Sequence, residues 1–184
     1  MDEQPKTAQK RRTRVDPFLD WLRQHREDRG RMADLRHGLS KATEYRAWPH
    51  VAPWLGDRFS NDKARAILIV IGAAFAMQCD LQTGGGGLDM GGVLRRVALG
   101  KGGGAGGLEG LATFDARFRR LLSCDSAEEV CEHLPGIIRA ATRATPPVVI
   151  DLSRLYQDLT YWGDRVKLRW AQSYWAVQGE EATS

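Results

Sequence analysis

Basic side chains at helical spacing beside aromatic anchors are the residues of this sequence best placed to do chemistry. Arg117-Phe118-Arg119-Arg120 sets three guanidiniums around a helix anchored by Phe118, and Arg117 and Arg120, three apart, share a side. Arg165, Lys167 and Arg169 surround a helix whose apolar side is Val166 and Trp170. Arg165 and Arg169, four apart, fall on one face, and Lys167 points elsewhere. Arg29, Arg31 and Arg36 gather around another helix start, Lys63 and Arg65 lie in the first turns of an apolar helix, and Arg95, Arg96 and Lys101 border a glycine-rich stretch. Rows like these can follow a phosphate backbone without reading bases. Of the 27 basic residues 21 are Arg, whose planar fork suits phosphate, although a GC-rich coding bias would give the same excess. The competing explanation of the rows is solvated helix faces balanced by nearby acids, and spacing alone does not separate the two.

Other chemistry finds no support in the spacing. Carboxylate pairs such as Asp16 with Asp20 and Glu128 with Glu132 sit where helix N-termini favour acids. Cys79, Cys124 and Cys131 are odd in number and lack CxxC spacing; the last two, seven apart, would lie about 10 Å apart along one helix, too far for a disulfide within it. Buried reduced thiols are expected. His25, His37, His50 and His133 show no metal or triad spacing. Gly100-Lys101-Gly102 lacks the Ser/Thr and the preceding strand of a phosphate-binding loop. A non-enzymatic protein without metal or cofactor is the expectation.

The elements that must position these residues are helical almost throughout. The 184 residues suit one domain or two small lobes, and no stretch reaches the ~18 apolar residues of a membrane span. Asp16-Pro17 opens a first helix, with Asp16 as its cap, and Phe18, Leu19 and Leu22 form its stripe. A second runs from Arg31 to about Leu39. Ser60-Asn61-Asp62 offers a cap to the strongest apolar run, Ala66 to Met77, expected to be a central helix buried all round. A shorter helix spans Leu88–Leu99 between glycine runs. Phe114, Phe118, Leu121 and Leu122 make one face of the next. Ser126 with Glu129 is a capping box opening a helix that Pro135-Gly136 kinks or divides. Asp151 caps a helix burying Leu152, Leu155, Tyr156 and Leu159, and Gly163-Asp164 starts the last, with Val166, Trp170 and Tyr174 at i, i+4, i+8.

The expected fold class is therefore all-α: a helical bundle in two small lobes, residues 16–99 and 113–178, joined by a mobile glycine-rich loop, 100–112. Thirteen of the 27 residues from Gly84 to Gly110 are glycine, which raises the entropy cost of ordering that segment. Residues 1–15 read as a basic disordered tail and 179–184 as a second tail. The net charge of +4 says little as a total, because residues 1–46 carry 12 basic against 8 acidic side chains while residues 113–184 carry 9 against 10. A start at Met1-Asp2-Glu3 without an apolar core points to the cytoplasm.

The order of these features resembles the CasB-type small subunit of the type I-E CRISPR surveillance complex, Cascade. The matching stretches are Asp28-Arg29-Gly30-Arg31-Met32-Ala33-Asp34-Leu35-Arg36, Leu88-Asp89-Met90-Gly91-Gly92-Val93-Leu94, Phe114 to Leu122, and Ile150-Asp151, Leu155, Asp158-Leu159, Trp162 and Trp170. They cover about residues 16–176; their order, the length and the all-helical pattern carry the match more than any single motif. The glycine-rich insertion 100–107 and the basic tail 6–14 depart from it. The resemblance implies a non-catalytic subunit, present in two copies with the other Cascade subunits and guide RNA, that supports the target and displaced DNA strands through a basic surface. Carried onto this chain, the family's basic positions fall at Arg36, Lys63, Arg117, Arg165 and Arg169, with Arg120 and Lys167 beside them. A helical protein–protein adaptor that binds through exposed Trp and Leu surfaces, without nucleic acid, is the alternative from a different class.

Overall fold

Local sequence signals start most of the helices. In the computed structural model, residues 13–81, 87–100 and 108–175 are described, with side chains in the last stretch from residue 114 onward. The basic tail at 6–12, the glycine loop from 101 to 107 and the tail at 179–184 lie outside the described residues. Nine α-helices are present among them: α1 Asp16–Gln24, α2 Arg29–His37, α3 Trp48–Leu55, α4 Asp62–Met77, α5 Met90–Leu99, α6 Leu108–Ser123, α7 Ala127–Arg143, α8 Leu152–Thr160 and α9 Asp164–Trp175. Short 3-10 turns at Glu44–Ala47 and Gly56–Ser60 flank α3. No strand occurs in the described residues, and no helix there is long and apolar enough to cross a membrane.

Side-chain caps satisfy the free N–H groups at five of these starts. Asp28 accepts from Arg31 N at 3.0 Å, Asn61 from Ala64 N at 2.8 Å, Asp89 from Gly92 N at 3.0 Å, Ser126 from Glu129 N at 3.2 Å and Asp151 from Arg154 N at 3.0 Å. At α7 the box closes one residue early, because Glu129 accepts from Asp125 N at 2.9 Å. Asp16 does not cap α1. It is the first helical residue, and its carboxylate takes the Thr13 hydroxyl at 2.8 Å and the Ser153 hydroxyl of α8 at 2.8 Å, tying the two helices together.

The apolar run from Ala66 to Met77 forms most of α4, and every residue from Ile67 to Ala76 is buried. Helices from both halves of the chain pack on it: α1, α2 and α3 before it in sequence, α7 and α8 after it. Gln78, 1% exposed at its C-terminal end, donates to Val148 O at 2.9 Å and accepts from Ile150 N at 3.1 Å, so the connection from α7 to α8 is stitched to α4 without leaving these backbone groups unsatisfied. A second packing centre joins α5 to α6 and α9. Pro135 does not divide α7, which runs unbroken from Ala127 to Arg143. The ring removes one backbone hydrogen bond, but the buried row Val130, Leu134, Ile137, Ile138 and Ala141 keeps both halves on the same core. The segment 100–112, expected to be loop, is helical from Leu108.

All three cysteines are free thiols. Cys131 is 5% exposed, and burial, followed by the charge of Glu128, pushes its pKa up to about 12 from an ordinary 9.0. The thiolate is the reactive form. A three-unit rise makes it ~1000-fold scarcer at a given pH. Iodoacetamide at pH 8 is therefore expected to label half-exposed Cys79 first and native Cys131 at least ~100-fold more slowly. Mass spectrometry of timed quenches reads this, and comparable rates would refute the burial argument. Because the folded pKa is the raised one, this thiol's stabilising effect is complete below about pH 9 and disappears as pH climbs toward 12.

Candidate nucleic-acid interface

α6 and α9 lie antiparallel. Phe118 stacks on Tyr174 with centroids 4.1 Å apart and meets Trp175 edge-on at 5.2 Å. Trp175 Nε1 donates to Asp115 at 3.0 Å. At the opposite end Trp162 Nε1 donates to Cys124 O at 3.0 Å. The middle of α6 therefore meets the end of α9, and the end of α6 meets the segment that leads into α9. Val166, Trp170 and Tyr174 of α9 and Phe118 and Leu121 of α6 are buried, while Arg117, Arg119 and Arg120 of α6 and Arg165 of α9 stay exposed.

On α6, Arg117 and Arg120 are exposed and have no ion pair among the described residues; the Arg117 guanidinium lies 5.3 Å from the Phe114 ring. Arg119, between them, is already engaged. It binds Asp115 at 2.6 Å and lies 5.4 Å from the Trp175 ring, and its hydrogen bond holds the Asp115 carboxyl below the usual carboxylate value. On α9, Arg165 is exposed and has no ion pair among the described residues. Lys167 Nζ lies 5.7 Å from the Trp162 ring. Burial raises the Cys124 thiol pKa, the charge of Glu129 raises it further, and Lys167 opposes both; Trp162, under Lys167, donates to Cys124 O just past the end of α6 that carries Arg120.

Arg169 differs from Arg165 although the two are one turn apart. Its guanidinium hydrogen-bonds Asp158 and lies 3.8 Å from Asp89, and both carboxylates are buried. Asp158 also accepts from Trp170 Nε1 at 2.7 Å, and Asp89 from the Ser173 hydroxyl at 2.8 Å. Arg154 adds a second cation 3.7 Å from Asp89. Buried carboxylates of this kind need counter-charge. Much of the Arg169 charge is consequently spent inside the protein, holding α5, α8 and α9 together.

The other two sequence-derived positions lie off this pair. Arg36 Nε donates to Ala76 O at 2.9 Å, at the C-terminal end of α4, and Lys63 Nζ donates to Thr160 O at 3.0 Å, at the C-terminal end of α8. Both cations sit where helix carbonyls favour positive charge. Thirteen residues of α4 separate their levels, about 20 Å along the axis. The seven positions thus resolve into an exposed group of Arg117, Arg120 and Arg165 with half-buried Lys167 beside it, an inward-facing Arg169, and two tethered cations toward opposite ends of α4.

Several other cations have internal tasks. Arg31 stacks 4.8 Å over Trp21, Arg65 donates to Phe59 O at 2.9 Å, and Arg95 donates to Tyr174 O at 2.9 Å. Two were absent from the sequence-derived set: Arg14 and Arg58 are exposed, with no ion pair among the described residues, and both line a cavity at the start of α4 together with Lys63. Nothing in their spacing marks them, since the chain reaches that cavity from separate segments.

Comparison with known proteins gives a consistent picture. The family described as CRISPR-associated protein Cse2 matches residues 31–175. Two solved structures are similar over 88% of this chain and 97% of their own, each with TM-score 0.62. One is the crystal structure of CasB from Thermus thermophilus, at 24% identity; the other is a CRISPR-associated protein of the Cse2 family from Thermus thermophilus, at 25%. No curated protein matches the chain.

Proposed function

The chain belongs to the Cse2 family of CRISPR-associated proteins, and from that premise we propose that it serves as a non-catalytic small subunit of a type I-E Cascade complex that contacts nucleic-acid backbone and stabilises the opened target. Two copies would lie beside the guide RNA and target DNA among the other Cascade subunits in the cytoplasm, supporting the displaced strand. The observation that carries the reading is the exposed cation group on α6 and α9: Arg117, Arg120 and Arg165 have no carboxylate partner among the described residues. An exposed, uncompensated row attracts phosphate and releases counterions when it binds. Sequence choice would come from base pairing in the guide. Strand exchange is nearly balanced in free energy, so a few phosphate contacts can decide whether the open state persists.

The test is the triple variant Arg117→Ala/Arg120→Ala/Arg165→Ala, assembled into the complex and assayed for R-loop stability across a salt series. Arg169 is left intact because its loss would strand buried carboxylates. The slope of log affinity against log salt should fall by ~0.7 for each single-strand phosphate contact removed, and affinity at low salt by ~10-fold or more. An unchanged slope would overturn the reading.

An adaptor function has one feature in its favour: Leu168 of α9 and Tyr161, in the connection between α8 and α9, are exposed. Gel shifts of the purified chain with single-stranded DNA distinguish the two, since an adaptor shows no salt-sensitive retention.

A further inference from the structure

We propose that the cavity at the N-terminal end of α4 is a binding site for one nucleoside phosphate unit, its base held among aromatic rings and its phosphate by Arg14, Arg58 and Lys63. This rests on the nucleic-acid reading above but concerns a group apart from that on α6 and α9, sharing only Lys63 with the sequence-derived positions, on the side of the protein built from α1, α3, α4 and α8. The cavity has a volume of about 280 Å³. That is just under the roughly 300–1,000 Å³ of small-ligand pockets, which limits an occupant to a single small unit.

The lining is selective. Half-buried Trp54 and Tyr156 contribute aromatic surface, and buried Phe18 backs Trp54 edge to face at 5.5 Å. Among the described residues the charged side chains in the wall are three cations, with no carboxylate. Lys63 commits one of its three N–H donors to Thr160 O, leaving two, while Arg14 and Arg58 have no ion pair among the described residues. The wall also includes Asn61, the cap of α4, so the positive end of a sixteen-residue helix dipole adds to the field. A second cavity against α4, of about 700 Å³, has the opposite balance, with Glu44, Asp62, Glu128 and Glu132 against Lys41 and Arg65. Cations without acids select an anion, and flat π surfaces select an aromatic one. A base joined to a phosphate provides both, whereas an acidic peptide provides only the charge. Stacking of this kind tolerates any base, which suits a protein that does not read sequence.

The test is photocrosslinking of the full chain to a single-stranded oligothymidylate carrying one 4-thiothymidine, with adducts mapped by mass spectrometry. The expected result is an adduct on Trp54 or Tyr156. It should fall about tenfold in yield in Arg14→Ala/Arg58→Ala, a variant that alters only exposed side chains, while adducts on α6 and α9 persist. Parallel labelling with 4-thiothymidine 5′-monophosphate separates the sources: labelling at equal nucleotide concentration identifies a free-nucleotide site, and labelling by the strand alone a strand site. Either result supports the nucleoside phosphate chemistry. Adducts confined to α6 and α9 would overturn the cavity proposal and leave the backbone-contact function standing. Loss of all salt-sensitive adducts would remove both. Displacement by an acidic peptide as effective as that by oligothymidylate would refute the choice of a nucleotide as occupant.

Discussion

Replacing Gly91 with alanine is expected to destabilise the protein by ~3 kcal/mol or more, at or beyond the upper end of ordinary overpacking costs. A Cβ on residue 91 would lie 2.0 Å from the carbonyl oxygen of Trp170, 2.7 Å from its carbonyl carbon and 3.0 Å from its Cα. All three are backbone atoms of α9, and no rotamer change can move them aside. α5 would have to withdraw from α9, loosening Met90, Val93 and Leu94 from the seam that holds Val166, Trp170 and Tyr174. Helix propensity acts the other way, because alanine at a helix-interior glycine gains up to ~1 kcal/mol, but the clash is larger. Gly92→Ala is the control. There the nearest atom is Leu88 Cδ2 at 3.2 Å, the end of a flexible side chain, so a change within ~1 kcal/mol is expected. Thermal melts should show Gly91→Ala falling by ~6–12 °C with Gly92→Ala near wild type, given ~2–4 °C per kcal/mol at this size. Equal melting temperatures for the two variants would refute the close contact of α5 with α9.

Asp158→Ala should cost ~3–5 kcal/mol, the range for removing one partner of a buried ion pair. The carboxylate is 5% exposed and accepts from both Arg169 and Trp170 Nε1. Its removal leaves the indole N–H of a fully buried tryptophan without an acceptor and leaves Arg169 with only the more distant Asp89. Asp158→Asn keeps an oxygen for the indole while losing the charge, so it should fall between Asp158→Ala and wild type. The double variant Asp158→Leu/Arg169→Met should lose less than the sum of its single changes, because no buried charge is then left alone at that pair. Denaturant midpoints for Asp158→Leu, Arg169→Met and their double variant, beside Asp158→Ala and Asp158→Asn, give the comparison. Strict additivity would show that Asp158 and Arg169 do not act as a unit. A functional corollary follows: Arg169 affects nucleic-acid binding mainly by positioning α9, so its loss should lower stability before it changes the salt slope.

The structure separates residues that look equivalent in the sequence. Arg165 and Arg169 share a helix, a charge and nearly a face, yet one is free at the surface while the other serves two buried carboxylates, one of them Asp89 from another part of the chain. Helical spacing gives a side chain's direction about its own axis, but not the charge it meets there. Arg14 and Arg58 were missed for the same reason: their shared wall exists only once α1, α3, α4 and α8 have packed. The matching Gly91 and Gly92 were legible as a motif, but not which of them touches a neighbouring backbone.

What the amino-acid sequence determines by itself is set within a few residues. Asn61, Ser126 and Asp151 mark helix starts because their side-chain oxygens reach N–H groups two or three positions ahead. The run from Ala66 to Met77 is buried because a helix apolar on every side has no face for water, and Phe118, Val166, Trp170 and Tyr174 turn inward by the same periodicity. Tertiary structure decided what depends on contacts across long separations. It kept α7 whole through Pro135, because packing on α4 outweighs one lost hydrogen bond. It also withdrew Arg169 from the surface group, because buried Asp158 and Asp89 require counter-charge more strongly than water holds a guanidinium. Helix direction is a local property of the chain, whereas the availability of a cation is settled by every charge that folding brings beside it.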